Sequence, residues 1–221
     1  MKGKRIVRLN ADLFPVVPYE EAQFARFCMS LIPVEVGTPD EMIPVVADAD
    51  AVCVVSASMP AVVMQSMRRC RVIARYGIGT DKLDVDAATS MGIVVANVPE
   101  FCSDEMGDHA MGLLLAVARK LPQMSAAFAE GAWSRARELG WGLRRLRGRT
   151  LGLVGFGHSA IALAQRASAC GLRLLATRRN LAANDPVAEA LGVRIVDLDT
   201  LLRESDYVSL QILDWPEAGE K

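Results

Sequence analysis

Residues 150–171, TLGLVGFGHSAIALAQRASACG, hold a short apolar run, a pair of closely spaced glycines and a helical repeat of small residues. Leu151 to Val154 has the length and composition of a buried parallel strand. Gly155-Phe156-Gly157 then turns the chain, and Ala160 follows where a helical pattern begins. Gly155 suits the tight turn, and Gly157 has no Cβ to keep an anion away from the backbone. Ala160, Ala164 and Ala167 recur on one helix face, giving the small surface that close helix–sheet contact needs. A second strand, Arg173 to Arg178, completes a strand–turn–helix–strand unit. In such a unit the amides near His158 and Ser159 point at a pyrophosphate placed on the helix N-terminus. A lone G-x-G-x-x-A is a weak signal, and a purely structural turn is the competing reading. The flanking elements favour a dinucleotide site at Gly155, Phe156, Gly157, His158, Ser159 and Ala160.

The end of the second strand bears on which dinucleotide. Position 178, 21 residues beyond Gly157, is where an acidic side chain would hydrogen-bond the adenosine ribose, and the chain has Arg178-Arg179 instead. A carboxylate there would repel a ribose 2′-phosphate, whereas paired guanidiniums would hold it bidentately. The expected cofactor is therefore NADP or NAD, with NADP favoured. The alternative is two solvated arginines at a strand end.

The rest of the chain sets bounds. Its 221 residues are 52% hydrophobic with a net charge of −1, which gives ample core and no blanket positive charge for nucleic acid. The N-terminal MKGKRIVRLN lacks the apolar core of a signal peptide, and no later run is long enough to span a membrane. Five scattered cysteines, several in apolar segments and without a C-x-x-C pair, read as buried free thiols in a reducing cytoplasm. Only two histidines, His109 and His158, are present, and no metal site is expected.

Before residue 103 short apolar runs alternate with helical stretches, which implies a parallel sheet with helices on both faces. Strands are expected near 5–9, 34–36, 51–56, 72–76 and 93–97, with helices at 20–29, 40–48, 61–67 and 84–90. Two loops follow strand ends, where open α/β sheets place their ligands. One contains Ser56; the other, RYGIGTD from Arg75, sets glycines on both sides of Ile78. A capping Ser103 opens a helix to about Lys120 with Met106, Ala110, Leu113, Leu114 and Val117 as its apolar stripe, ended by Leu121-Pro122. A domain boundary is placed near Ser103. His109 reads as a polar residue on an inter-domain face in preference to a catalytic one. Residues 126–149 read as irregular, with Trp133, Trp141 and six arginines from 135 to 149. Glu130 and Glu138 interrupt the charge, so tryptophans packing on a neighbouring subunit are preferred to a nucleic-acid surface. Strands near 193–196 and 207–212 and helices at 187–191 and 198–203 follow.

With these segments together, the chain resembles the D-isomer-specific 2-hydroxyacid dehydrogenases, in particular the phosphoglycerate dehydrogenase and C-terminal-binding-protein branch. The resemblance runs from about Val52 to Gln211 and is carried by RYGIGTDKLDVDAA (75–88), GIVVANVPEFCSDEMGDHAMGLLLAVAR (92–119), GRTLGLVGFGHSA (148–160) and ESDYVSLQ (204–211). It implies two Rossmann/flavodoxin-like α/β domains with parallel sheets and a nucleotide cleft between them. Residues 1–103 would form the substrate domain, without its C-terminal return segment, and 104–221 an incomplete NAD(P)-binding domain. Ile78 and Gly79 match backbone contacts to the substrate carboxylate, and Ser56 lies in the neighbouring substrate loop. Met106 matches a position beside the nicotinamide, and Gln211 one lining the adenosine side.

The resemblance further implies hydride transfer between nicotinamide and a small 2-hydroxy or 2-oxo acid, in a homodimer with no nucleic-acid or membrane partner. His158, Ser159 and Ala160 depart from the family's usual residues at those positions, as does the tail LQILDWPEAGEK from the loop expected after its strand. The family's substrate-clamping arginine, proton-trading histidine and tuning glutamate lie beyond the position of Gln211, so no catalytic residue is assigned. The 221-residue chain is accordingly expected to be inactive; a catalytically silent nucleotide-binding or association module is the alternative.

Overall fold

The computed structural model describes residues 3–12, 14–181 and 185–212. The chain divides into two compact units, Met1–Phe101 and Cys102–Lys221. In the first, the elements run β1 (Lys4–Leu9), α1 (Pro18–Arg26), β2 (Met29–Val34), α2 (Pro39–Val46), β3 (Ala51–Val54), α3 (Ala61–Gln65), β4 (Val72–Arg75), α4 (Val85–Ser90) and β5 (Val94–Ala96). All pairings are parallel, in the order β2-β1-β3-β4-β5. The direction of winding reverses between β1 and β3, the switch point at which open α/β sheets place their ligands. Val7, Leu9, Val52, Val54 and Ile73 from the strands pack on Met42, Val46, Val63 and Met64 from the helices. Such near-continuous apolar strands are what a sheet covered on both faces requires.

The edge strand departs from the sequence expectation. A strand is expected at 34–36, yet β2 spans Met29–Val34, in register with β1 from Lys4↔Met29 to Leu9↔Val34. Helix α1 ends early, at Arg26, and Cys28 takes a left-handed φ of 54° that turns the chain straight into the strand. Pro33 is tolerated because β2 is an edge.

The second unit comprises α5 (Ser103–Ala118), α6 (Leu121–Ala129), α7 (Trp133–Leu139), β6 (Thr150–Val154), α8 (His158–Ala169), β7 (Arg173–Thr177), α9 (Pro186–Ala190), β8 (Val193–Ile195), α10 (Leu198–Glu204) and β9 (Tyr207–Leu210). Its parallel sheet has the order β8-β7-β6-β9, with β6 central and the reversal between β6 and β9. Leu151, Leu153, Leu174 and Ala176 meet the buried alanine face of α8, Ala160, Ala164 and Ala167. Both sheets are the α/β architecture expected.

Three expectations in this unit are corrected. Ser103 does not cap α5; the cap position is Cys102, with no side-chain hydrogen bond. The stripe expected on α5 is only partly its inward face: Ala110 and Leu114 pack against the core, but the buried residues are Gly107, Met111 and Ala118, while Met106, Leu113 and Val117 are 45%, 58% and 73% exposed. The small residues win because α5 lies close against α8, where a Cβ at Gly107 would come within 2.8 Å of the Ala162 Cβ. Finally, Leu121-Pro122 starts α6 as well as ending α5. Lys120 adopts a left-handed φ of 52°, and Pro122 sits in the first turn, which needs no amide there. Much of the stretch expected to be irregular is thus helical.

Candidate functional site

In the second unit the turn from β6 to α8 lies at the C-terminal end of the sheet beside the reversal point. Gly155 has a φ of +95°, and a Cβ on it would meet the Gln211 carbonyl oxygen at 2.5 Å. This glycine is therefore demanded by the protein's own packing. Gly157 differs: a Cβ there would meet nothing within 4 Å. Space is left open above its backbone, at the N-cap position of α8, and no side chain caps that helix end. An N-terminus of twelve residues of helix, uncapped and facing open space, suits a diphosphate. The residues present fit the phosphates of a dinucleotide.

The other residues expected to hold a nucleotide come to the same end of the sheet. Val154 pairs with Thr177, and the Gly155 amide donates to the Thr177 carbonyl at 3.0 Å, which sets Arg178 and Arg179 directly beside the turn. The Gln211 amide donates to the Val154 carbonyl at 2.7 Å, and its side chain donates to Ser209 Oγ at 2.9 Å. Met106 and Gln211 both line a groove of about 860 Å³ that also takes His109, Leu113, Val117 and Tyr207. Residues 213–221, which include most of the divergent tail, lie outside the described residues.

The two arginines are not equivalent. Arg178 Nη1 donates to Asp185 Oδ2 at 2.5 Å, with both side chains mostly buried. Asp185 Oδ1 meanwhile accepts from the Val187 and Ala188 amides, capping α9. Arg179 is exposed, and no ion pair of its guanidinium is found among the described residues. Asp185 partly neutralises the pair of charges read from sequence.

In the first unit, Ser56, Ile78 and Gly79 lie on the loops after the adjacent strands β3 and β4. Asn10, after β1 and buried in a left-handed φ of 62°, accepts on Oδ1 from both the Ser56 and Ala57 amides at 2.9 Å. The Ser56 amide is thereby occupied, which leaves its side chain for any ligand. The Ile78 and Gly79 amides have no hydrogen-bond partner among the described residues.

A buried charge cluster supports these loops. Arg8, 3% exposed, donates to Glu20 Oε1 at 3.1 Å and to the Phe14 carbonyl at 3.2 Å, and lies over the Tyr76 ring. The Tyr76 hydroxyl donates to the same Glu20 oxygen at 2.8 Å. Burial above all, then the neighbouring Cys53 and Glu20, holds the Tyr76 phenol in its protonated form. Burial likewise pushes the Cys53 thiol up. Neither Asn10 nor the Arg8–Glu20–Tyr76 cluster shows in the sequence, because these contacts join distant positions, 56 residues apart for Glu20 and Tyr76. A left-handed asparagine is the only one with a known local preference.

Among the described residues no group of three histidine, cysteine, aspartate or glutamate side chains could hold a metal, and no helix is long and apolar enough to cross a membrane. Cys53 and Cys70 are buried, but Cys28 and Cys170 are exposed.

Residues 111–218 match the D-isomer specific 2-hydroxyacid dehydrogenase, NAD binding domain, family. The chain is similar to the D-isomer-specific 2-hydroxyacid dehydrogenases. It is 36% identical over 179 residues to a D-3-phosphoglycerate dehydrogenase of Archaeoglobus fulgidus, a match covering 78% of this chain and 32% of that one. It is 38% identical over 155 residues to a glyoxylate reductase of Thermococcus litoralis, covering 67% and 46% respectively. The chain thus spans between a third and about half the length of these relatives. Among solved structures, the holo form of Rhodotorula graminis D-mandelate dehydrogenase superposes with a TM-score of 0.83 at 25% identity, over 98% of this chain and 68% of that one. The glycine turn lies within the segment that matches the NAD-binding domain of this family.

Proposed function

We propose that this chain binds NADP or NAD at the β6–α8 turn and belongs to an enzyme that interconverts a small 2-hydroxy acid and its 2-oxo acid. The observation that carries the reading is the uncapped N-terminus of α8 with open space over Gly157, set beside Gln211 and the arginines after β7. The amides of Ser159 and Ala160 would face the diphosphate, with His158 and Phe156 contributing backbone at the same turn. Arg179, aided by Arg178, would face a ribose 2′-phosphate, and Met106 would pack beside the nicotinamide end. The nicotinamide supplies or accepts the hydride when bound. In the first unit the Ile78 and Gly79 amides would take the substrate carboxylate, with the Ser56 side chain beside them. A dimer in a reducing cytoplasm completes this proposal.

A second reading, a nucleotide-binding or association module without turnover, is favoured by the exposed apolar stripe of α5. It differs from the first in the turnover of the whole enzyme, not in nucleotide binding by these residues. Positioned acid–base help contributes about 10²–10⁴ in rate, and no residue described here fills that role. A polypeptide of these 221 residues is expected to bind NADPH yet not oxidise it with glyoxylate or hydroxypyruvate. Steady loss of NADPH absorbance in that mixture, abolished by Gly157→Val, would show that a catalytic group among these residues was missed.

A further inference from the structure

We propose that Arg75 and Asn97 clamp the carbonyls of the Tyr76–Gly79 turn and so aim the Ile78 and Gly79 amides at a carboxylate, which makes Arg75 a positioning residue. The inference rests on reading that turn as the substrate loop, and it explains how a chain segment with two glycines keeps one conformation. All four carbonyls of the turn are engaged. Arg75 Nη1 donates to the Tyr76 oxygen at 2.7 Å and Nε to the Gly79 oxygen at 2.9 Å. Between them, the Val98 amide donates to the Gly77 oxygen at 3.1 Å and Asn97 Nδ2 to the Ile78 oxygen at 2.8 Å. A trans peptide is planar, with its C=O and the next N–H on opposite sides. Holding the Gly77 and Ile78 oxygens toward β5's exit therefore turns the Ile78 and Gly79 hydrogens the other way. Those are the two amides with no partner among the described residues.

The arginine's shape matters as much as its charge. Its guanidinium reaches both ends of the turn at once because Nε and Nη1 diverge from one rigid plane. It lies against Gly77, where any Cβ would come within 2.3 Å of Nη1. Glycine at 77 is thus explained by the arginine, not by backbone conformation. The anchor for Arg75 is the sheet itself, since it pairs with Val54 at the end of β4. A lysine would keep the charge but could not bridge the two carbonyls.

The test is an amide NMR titration of the 221-residue protein with oxalate, a small dicarboxylate that mimics a 2-oxo acid. The wild type is expected to show saturable shifts at the Ile78 and Gly79 amides. Arg75→Lys should weaken that response at least about tenfold while the Tyr76 amide, bonded to the Val54 carbonyl, stays in place. Asn97→Ala, at an exposed position, should blunt the Gly79 response more than that of Ile78, since Asn97 orients only the peptide between them. Wild-type affinity in Arg75→Lys, or an unchanged Gly79 response in Asn97→Ala, overturns the clamp. No shift at either amide in the wild type overturns both the clamp and the carboxylate loop. An NADPH titration monitored at Gly157 reports separately on the nucleotide turn.

Discussion

Gly155 and Gly157 differ in what a methyl group would do. At Gly155 the positive φ and the nearby Gln211 carbonyl predict that Gly155→Ala loses about 2–4 kcal/mol in urea unfolding. At Gly157 the open space predicts that Gly157→Ala unfolds within about 1 kcal/mol of the wild type, yet binds NADPH at least tenfold more weakly in a fluorescence titration. The two glycines look alike in the sequence motif; only the fold separates the one packing needs from the one a ligand needs. The arginines tell a similar story. Their order is legible, but Asp185 is not, because its carboxylate reaches Arg178 across a loop whose path the sequence does not dictate. Asparagine caps a helix as well as aspartate does, so Asp185→Asn should keep α9 and remove only the charge. Its ratio of 2′-phospho-AMP to AMP affinity is expected to rise about three- to tenfold, consistent with one nearby charge at intermediate dielectric. An unchanged ratio in competition against NADPH would show that Asp185 does not tune the site.

Elements with strong periodicity were legible and those set by packing were not. Strands β1, β3, β4, β6 and β7 are short apolar runs, and their ends fall within a residue or two of expectation. Helix α5 is legible, and so is part of its inward side at Ala110 and Leu114, but apolarity also marks Leu113 and Val117 while close approach to α8 selects Gly107 and Met111. The start of β6 shows a further contact between distant elements. Asp206, just before β9, accepts from the Thr150 amide at 2.9 Å and from Arg149 at 2.8 Å. The amide first, then the arginine, hold its carboxyl below the ordinary value of 3.8. A carboxyl depressed in the folded state stabilises fully above the unfolded value and loses that contribution as pH falls through the folded one. Asp206→Asn should therefore lower stability near neutrality and flatten the acid limb of a Tm-versus-pH profile below about pH 4. A parallel downward shift at every pH would assign the loss to something other than this ionisation.

Two α/β units, each with its own core, follow from alternating apolar runs and helical stretches, and that much of the molecule is legible from periodicity alone. The surfaces are less so. Trp133 and Trp141 are 61% and 71% exposed, and Phe128 packs its ring 5.2 Å from that of Trp133. Large aromatics left in water in this way predict association through the α6–α7 region. Sedimentation should show a dimer whose dissociation is promoted by the pair Trp133→Glu and Trp141→Glu, whereas an unmoved equilibrium would place the contact elsewhere. The central claim is the diphosphate site at the β6–α8 turn. Its most direct measurement is an amide NMR titration of the 221-residue protein with NADPH. The account predicts saturable shifts at Gly157, Ser159 and Ala160, with smaller ones at Arg179 and Gln211. Saturable binding that leaves those amides unmoved, or no binding at all, would contradict it.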